Sequence, residues 1–429
     1  MRIAVVGSGI AGMTAAWLLH REHELTVYES EPRIGGHTNT VTVNKGGREW
    51  PVDTGFIVCN DWTYPNFLGL MRAIGVELQP TTMSFSMRDE ASGIEYGGST
   101  INSLFAQRSN FLRWSFVRMV REILRFNREA PELLSDAGDE IALGDYLSSR
   151  GYHREFIEHY LVPMGGAIWS SSRDVMLCFP ARFLVRFMHN HGMLSVDQRP
   201  QWRVVTGGSR VYAEALTKPY RDRIRKGDPV TGVGRRAGSA WVRTAAGEQM
   251  YDAVVMACHA DTALQLIADP SQAERDILGC FPFQENLAVL HTDQSFMPRA
   301  KRAWSAWNHH VPKDPSLPVA VTYDMNALQG FTDAPCRFLV TLNPHRTIQG
   351  ETLKSQIYHH PLFTPESPAA QRRHGEINGA NHLYFAGAYW GYGFHEDGVR
   401  SALAAVKPLT SATIPLTLDA VGAQPRRIV

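Results

Sequence analysis

The sequence predicts an α/β protein in which a parallel-sheet domain is interleaved with an α+β domain built on a mixed sheet. Three observations carry this reading. The chain opens on a strand–glycine turn–helix–strand unit, glycine blocks return in the middle and near the end, and the segments between them switch between helical and strand-like patterns.

Arg2-Ile3-Ala4-Val5-Val6 is a short apolar strand that runs into Gly7-Ser8-Gly9-Ile10-Ala11-Gly12. An apolar helix, Met13 to Leu19, follows, then a second strand, Leu25 to Tyr28, which ends on Glu29. This is the Rossmann-like dinucleotide fingerprint in its required setting. Gly7 permits the tight turn, Gly9 lets a pyrophosphate approach the backbone, and Gly12 lets helix and strand pack closely. The helix N-terminus offers free N–H groups to phosphate oxygens, and Glu29 is placed to accept hydrogen bonds from a ribose diol.

A second cradle follows in Arg33-Ile34-Gly35-Gly36-His37-Thr38 and Asp53-Thr54-Gly55-Phe56. A plain NAD domain continues with another strand–helix unit here, whereas a glycine pair close behind the ribose acid suits a flavin dinucleotide. Far along the chain, Leu383 to Ala388 reads as a strand ending at Gly387, and Gly393 to Gly398 leads into a helix, Val399 to Val406.

These blocks, in this order, resemble those of the FAD-dependent amine oxidase and phytoene desaturase superfamily. The resemblance covers nearly the whole chain. Thr206-Gly207-Gly208-Ser209 matches the middle glycine block, Val230 falls where the family contacts adenine, and Asp252 to Ala257 looks like the returning strand. It implies a glutathione reductase-type FAD domain at 1–80, 200–268 and 372–408, a substrate domain at 81–199 and 269–371, and a tail at 409–429. It also implies FAD held by Gly7, Gly9, Gly12, Glu29, Arg33, Gly35, Gly36, His37, Thr38, Gly55, Val230, Gly387, Glu396 and Gly398.

Composition agrees. With 429 residues, 44% apolar and 20% charged, the chain can bury two cores without a staple. A net charge of +1 provides no global field for nucleic acid. The five cysteines are scattered without a CxxC, which argues for reduced thiols in a cytoplasmic protein. A strand starting at Arg2 leaves no room for a signal peptide, and no apolar run is long enough to span a bilayer. His309-His310 and His359-His360 have no carboxylate or cysteine at ligand spacing, so no metal is expected.

The second domain should open with a hairpin, Met83 to Met87 and Gly93 to Tyr96, continue as helices from about 110 to 192, and then become strand-rich at Asn286 to Thr292, Val319 to Tyr323 and Arg337 to Leu342. In the helix 111–130, Arg118, Arg121, Arg125 and Arg128 recur at spacings of three and four. This is either a basic face that lies on an anionic membrane or an ordinary solvated face.

The resemblance implies that the residue three before the last cofactor-helix glycine, His395, faces the substrate, with Tyr392 and Trp390 shaping the cavity beside the ring. His395 then acts as acid or base, or merely packs and bonds a neighbour. The strand Asn286 to His291 lacks the lysine that amine oxidases carry there. His291-Thr292-Asp293, Met297-Pro298, Trp304 to Asn308, Tyr323 to Asn326 and Thr341 to Pro344 look like those of a bacterial FAD-binding subgroup. That subgroup is associated with cyclopropane fatty acid synthase-like methyltransferases, and one branch desaturates methyl-branched acyl chains on the way to furan fatty acids.

The resemblance thus implies dehydrogenation of an unsaturated, methyl-branched fatty acyl lipid, with a methyltransferase as partner and a cytoplasmic location peripheral to the inner membrane face. A double-bond isomerase, an amine oxidase and a non-catalytic lipid-binding flavoprotein are the alternatives. Met83, Phe85, Met87, Trp169, Met176, Phe179, Phe183, Phe187 and Met188 are the candidate cavity walls, or else ordinary core.

Overall fold

The computed structural model describes residues 1–135, 141–236, 238–314, 317 and 320–414. A five-stranded parallel sheet runs in the order Ile224–Lys226, Glu24–Glu29, Arg2–Val6, Ala253–Met256, Leu383–Phe385. The central strands Arg2–Val6 and Ala253–Met256 read as apolar runs because both of their faces are covered. Ile3, Val5, Val27 and Val255 pack under the helices Ile10–Leu19, Arg210–Thr217 and His395–Val406. Ala4, Val6, Val254 and Met256 face the antiparallel meander Gly232–Arg236, Ser239–Thr244, Gly247–Tyr251. The two helices Ile10–Leu19 and His395–Val406 pack closely because a Cβ at Gly398 would lie 2.7 Å from Ile10 Cγ2. Their N-termini therefore stand together at the carboxyl edge of the sheet, the usual ligand position of this architecture.

A seven-stranded sheet has the order Thr352–Pro361, Phe283–His291, Leu339–Leu342, Ala320–Asp324, Trp307–Val311, Phe85–Asp89, Glu95–Gly97. It is mixed: the pair Trp307–Val311 and Phe85–Asp89 is parallel and its other pairs are antiparallel. The helices between Trp114 and Asn190 form a lobe around Phe126, Phe156, Trp169, Phe179, Phe183 and Phe187. Each such aromatic contributes about 1.5–3 kcal/mol by leaving water.

The parallel strands come from 1–80, 200–268 and 372–408, and those of the mixed sheet from 81–199 and 269–371. Of the tail, 415–429 lies outside the described residues, as does Val319 of one expected strand. Leu409 and Thr410 bond back to His23 and Glu22. Asp53 holds the parts together: its buried carboxylate accepts from Ser209 N, Ser209 Oγ and Thr40 Oγ1, which ties the second glycine block to the middle one.

Several elements differ from the sequence expectation. Trp307–Val311 and Thr352–Pro361 are strands that the sequence reading passed over. The first carries buried His309 and His310, and the second is a polar edge strand, so neither shows an apolar period. The helix at 111–130 forms as Trp114–Glu129, but its four arginines do not share one stripe. Arg125 is turned onto Glu122, Glu129 and the Tyr152 ring, while Trp114 and Leu124 stand outward.

Candidate functional site

The first glycine turn forms an anion cradle. Gly7 has φ +104°, and its N–H donates to Tyr28 O at 2.8 Å. A Cβ at Gly12 would fall 1.9 Å from Gly7 O, so only glycine allows this helix–strand contact. Around Gly9 the opposite holds: a Cβ there meets nothing within 4 Å. The helix that follows has no side-chain cap and no acid in its first turn. Its free N–H groups face that open space and suit a phosphate. Gly36 closes the cradle from the other side, 3.4 Å from Gly9 Cα as measured from its ideal Cβ.

The flanking residues brace the cradle. Glu29 accepts from Ser8 N at 3.0 Å, from Ser8 Oγ and from Glu31 N at 2.9 Å. Arg33 donates to Gly36 O at 2.8 Å and fixes the second glycine turn. Gly55 lies against His37 O, where a Cβ would come within 2.1 Å. Val230 follows a turn pinned to the same strand end, because Asp228 N donates to Glu29 O at 3.1 Å. Gly387 ends the last parallel strand, and its N–H donates to Ser401 Oγ at 2.9 Å.

Glu396 departs from its expected role. Its carboxylate accepts from Asn66 N, Asn66 Nδ2 and Phe67 N, so it caps the helix Pro65–Ala73 and leaves only its backbone for a cofactor. Burial pushes its carboxyl up to about 7.

The three catalytic candidates do not converge. His395 is buried, stacked on Phe56 at 3.7 Å, with Nε2 2.8 Å from Tyr212 Oη and 3.2 Å from Thr38 Oγ1. Burial holds its imidazole down at about 3, so it is neutral. Tyr392 packs on Phe183 and Phe187 in the helical lobe. Trp390 packs on His374 and Phe281 in the cofactor-domain core. The physical reason is the connection itself: a single helical turn, Ala388–Trp390, is followed by bends at Gly391 and Gly393, which aim successive side chains into different clusters.

The fold assembles another group instead. His37, in the second glycine block, stacks on Tyr358 at 4.9 Å and lies 5.3 Å from the His360 ring and 6.5 Å from that of His259. His37 Nε2 is enclosed without a hydrogen-bond partner. Tyr358 Oη joins Asn39 and Thr54, and Asn286 Nδ2 donates to His360 Nδ1 at 3.1 Å. Burial keeps His259 and His360 down at about 4, and burial with His360 beside it holds His37 well below the imidazole range. The group is therefore neutral at pH 7. The open cradle at Gly9 fits a bound dinucleotide, and the unpartnered His37 nitrogen lies enclosed beside it. Sequence reasoning placed His37 in the cradle but missed the group, because its members come from five separate stretches of the chain and share no local spacing.

The subgroup motifs prove to be braces. Asp293 and Asp324 cap short helical turns, Asn326 bonds Phe331 O, Cys336 O and Phe338 N, and Asn343 Nδ2 donates to Asn286 Oδ1. The wall candidates pack as core in separate clusters, Met83 in one, Phe85 and Met87 in a second, and Trp169 to Met188 in a third. The sequence search for metal ligands missed Glu90, which the fold brings to 3.0 Å from His310 Nε2, with His345 beside them. Arg88 and Arg346 also bear on His310, and their charge opposes a cation there.

Comparison with known proteins agrees with this geometry. Residues 10–327 match the family model described as flavin containing amine oxidoreductase. A probable zeta-carotene desaturase from Synechococcus elongatus is 24% identical over 75% of this chain and 65% of its own length. An L-amino-acid oxidase from Siganus canaliculatus is 23% identical over 68% of this chain and 55% of its own. The chain thus spans under two thirds of each of these curated relatives. Among solved structures, a cyclohexylamine oxidase from Brevibacterium oxydans shares the fold with a TM-score of 0.71 at 14% identity, covering 95% of this chain and 98% of that one. A CLA-producing fatty acid isomerase from P. acnes gives 0.65 at 14% identity, covering 95% and 98%.

Proposed function

This chain belongs to the flavin-containing amine oxidoreductase family, whose members bind FAD, and from that premise we propose that it dehydrogenates an unsaturated, methyl-branched fatty acyl chain, free or in phospholipid. FAD, when bound, supplies a two-electron acceptor for a hydride. Gly7, Gly9, Gly12 and Gly36 would hold its pyrophosphate, Glu29 its ribose, and the His395–Val406 helix N-terminus its far end.

The observation that carries the substrate class is the neutrality of the group around His37. His37, His259, His360, Tyr358, Asn39, Thr54 and Asn286 offer no charge to an ammonium or a carboxylate. Such a substrate would be desolvated there without a counter-charge, a loss of several kcal/mol. An acyl chain carries no such penalty. Asn286 stands on the strand where amine oxidases carry lysine, and its amide is already used by His360 and Asn343.

The work of the protein is then to orient an allylic carbon, exclude water and receive a proton. His37 Nε2 is the enclosed nitrogen free to accept it, whereas His395 Nε2 is committed to Tyr212 and Thr38. Loss of two hydrogens next to an existing double bond gives a conjugated diene. A methyltransferase that installs the branch is the class of enzyme that supplies such a substrate.

Lipid profiles of cells with and without the gene test the reading. It requires a dienoic or furan-containing branched acid that disappears with the gene. An unchanged profile would retire it, as would a product that forms without any electron acceptor, which is the mark of an isomerase.

A further inference from the structure

Half of the ten large apolar side chains that stand exposed among the described residues lie between Ile101 and Leu124. Ile101 is 77% exposed, Phe111 54%, Leu112 89%, Trp114 74% and Leu124 55%. Local contacts join the first of these into one surface. Phe105, at the end of the turn that Ile101 begins, stacks on Phe111 at 3.8 Å, and Arg108 donates to both Phe105 O and Asn102 Oδ1.

The same surface is cationic. The outward stripe of the helix Trp114–Glu129 is Trp114, Arg118, Arg121, Leu124 and Arg128, spaced by four, three, three and four. From 101 to 130 the sequence has six arginines and two glutamates, in a chain whose net charge is +1. Both glutamates, Glu122 and Glu129, are held by Arg125. Arg118 and Arg121 have no ion pair with any described residue.

An ordinary solvated face explains arginines but not a tryptophan and four aliphatic or phenyl groups pointing into water between them. A bilayer interface explains both. Apolar tips enter the acyl boundary, tryptophan sits at headgroup depth, and arginines reach phosphates with paired donors. No helix among the described residues is long and apolar enough to cross a membrane. We propose that the surface 101–128 docks this protein on an anionic phospholipid bilayer.

The underside of the docking helix leads inward. Phe116 packs against Tyr96 and Phe105 in a cluster that also holds Phe85, Trp307 and Tyr323. Tyr323 packs against Ala288, Leu342 and Tyr358, and Tyr358 is the ring stacked on His37. Apolar side chains thus connect the docking face to the group around His37. Docking requires only this exposure and charge, and is read by binding rather than by turnover.

The test is co-sedimentation of the FAD-loaded full chain with vesicles of phosphatidylcholine alone, and of phosphatidylcholine and phosphatidylglycerol in equal parts. Binding to the anionic vesicles should be about tenfold tighter or more, and should weaken as salt rises. Leu112→Ser/Trp114→Ser and Arg118→Glu/Arg121→Glu should each weaken it about tenfold or more, with the thermal midpoint unchanged because all four side chains are exposed or carry no ion pair. The proposal falls if the wild type stays in the supernatant, if it binds both vesicle types alike, or if both variants pellet as the wild type does. It also falls if the variants change only self-association in sedimentation velocity, since the face would then belong to a second copy.

Discussion

Replacing Gly9 with alanine should separate cofactor binding from folding. Gly9 has φ −65° and ψ −179°, which alanine adopts freely, and its Cβ would meet nothing within 4 Å. The protein itself accepts the methyl group, and the stiffer unfolded chain adds about 0.4–1 kcal/mol of stability. On the cofactor side, the methyl occupies the space above the uncapped helix N-terminus. Pushing a pyrophosphate back by that width breaks two charge-assisted N–H bonds of about 1.5–3 kcal/mol each. Affinity for FAD should fall by about 3–6 kcal/mol, roughly 10² to 10⁴-fold. The same substitution at Gly12 places a Cβ 1.9 Å from a backbone oxygen and should prevent folding. Quenching of FAD fluorescence on titration gives the affinity, and melting of the FAD-free protein gives the stability. The reasoning is refuted if Gly9→Ala binds FAD within about threefold of wild type, or if its FAD-free form melts well below wild type.

Three further outcomes follow from the site. His37→Gln should keep its flavin absorbance and lose about 10²-fold or more in kcat on acyl lipid, while His395→Gln should chiefly lower the thermal midpoint; equal kcat for wild type and His37→Gln removes His37 from the reaction. Glu396 has its carboxyl raised from 4.5 to about 7, so its protonated form favours the folded state. Its stabilisation is full below pH 4.5 and is lost as pH rises toward 7, a swing of about 3 kcal/mol by linkage. Glu396→Gln should flatten that part of the stability profile, and an unaltered profile would contradict the assignment. Trp390→Phe should leave acyl turnover within about twofold, because the ring packs on His374 and Phe281 rather than on the group around His37; a large loss of turnover would place Trp390 back at the reaction face.

The glycine cradle was legible because its signal is local: within Arg2 to Glu29, strand, turn, helix and ribose acid follow one another in the order the chemistry needs. The apolar strands Phe283–His291 and Leu339–Leu342 were legible for the same reason. Thr352–Pro361 was not, since a polar edge strand has no buried face to set a period. Trp307–Val311 was not, since buried His309 and His310 leave it without an apolar period. The group around His37 joins residues up to 323 positions apart (His37 and His360), and nothing in either neighbourhood announces the other. Glu396 was expected at the cofactor from the resemblance, but its carboxylate caps a helix more than 300 residues away, a partner that no local pattern announces.

Anaerobic mixing of the FAD-loaded protein with a phospholipid bearing a methyl-branched monoenoic chain tests the central claim most directly. The account predicts bleaching of the oxidised flavin band, matched one for one by the ultraviolet absorption of a conjugated diene. A flavin that stays oxidised with such lipids but bleaches with a simple amine would contradict it.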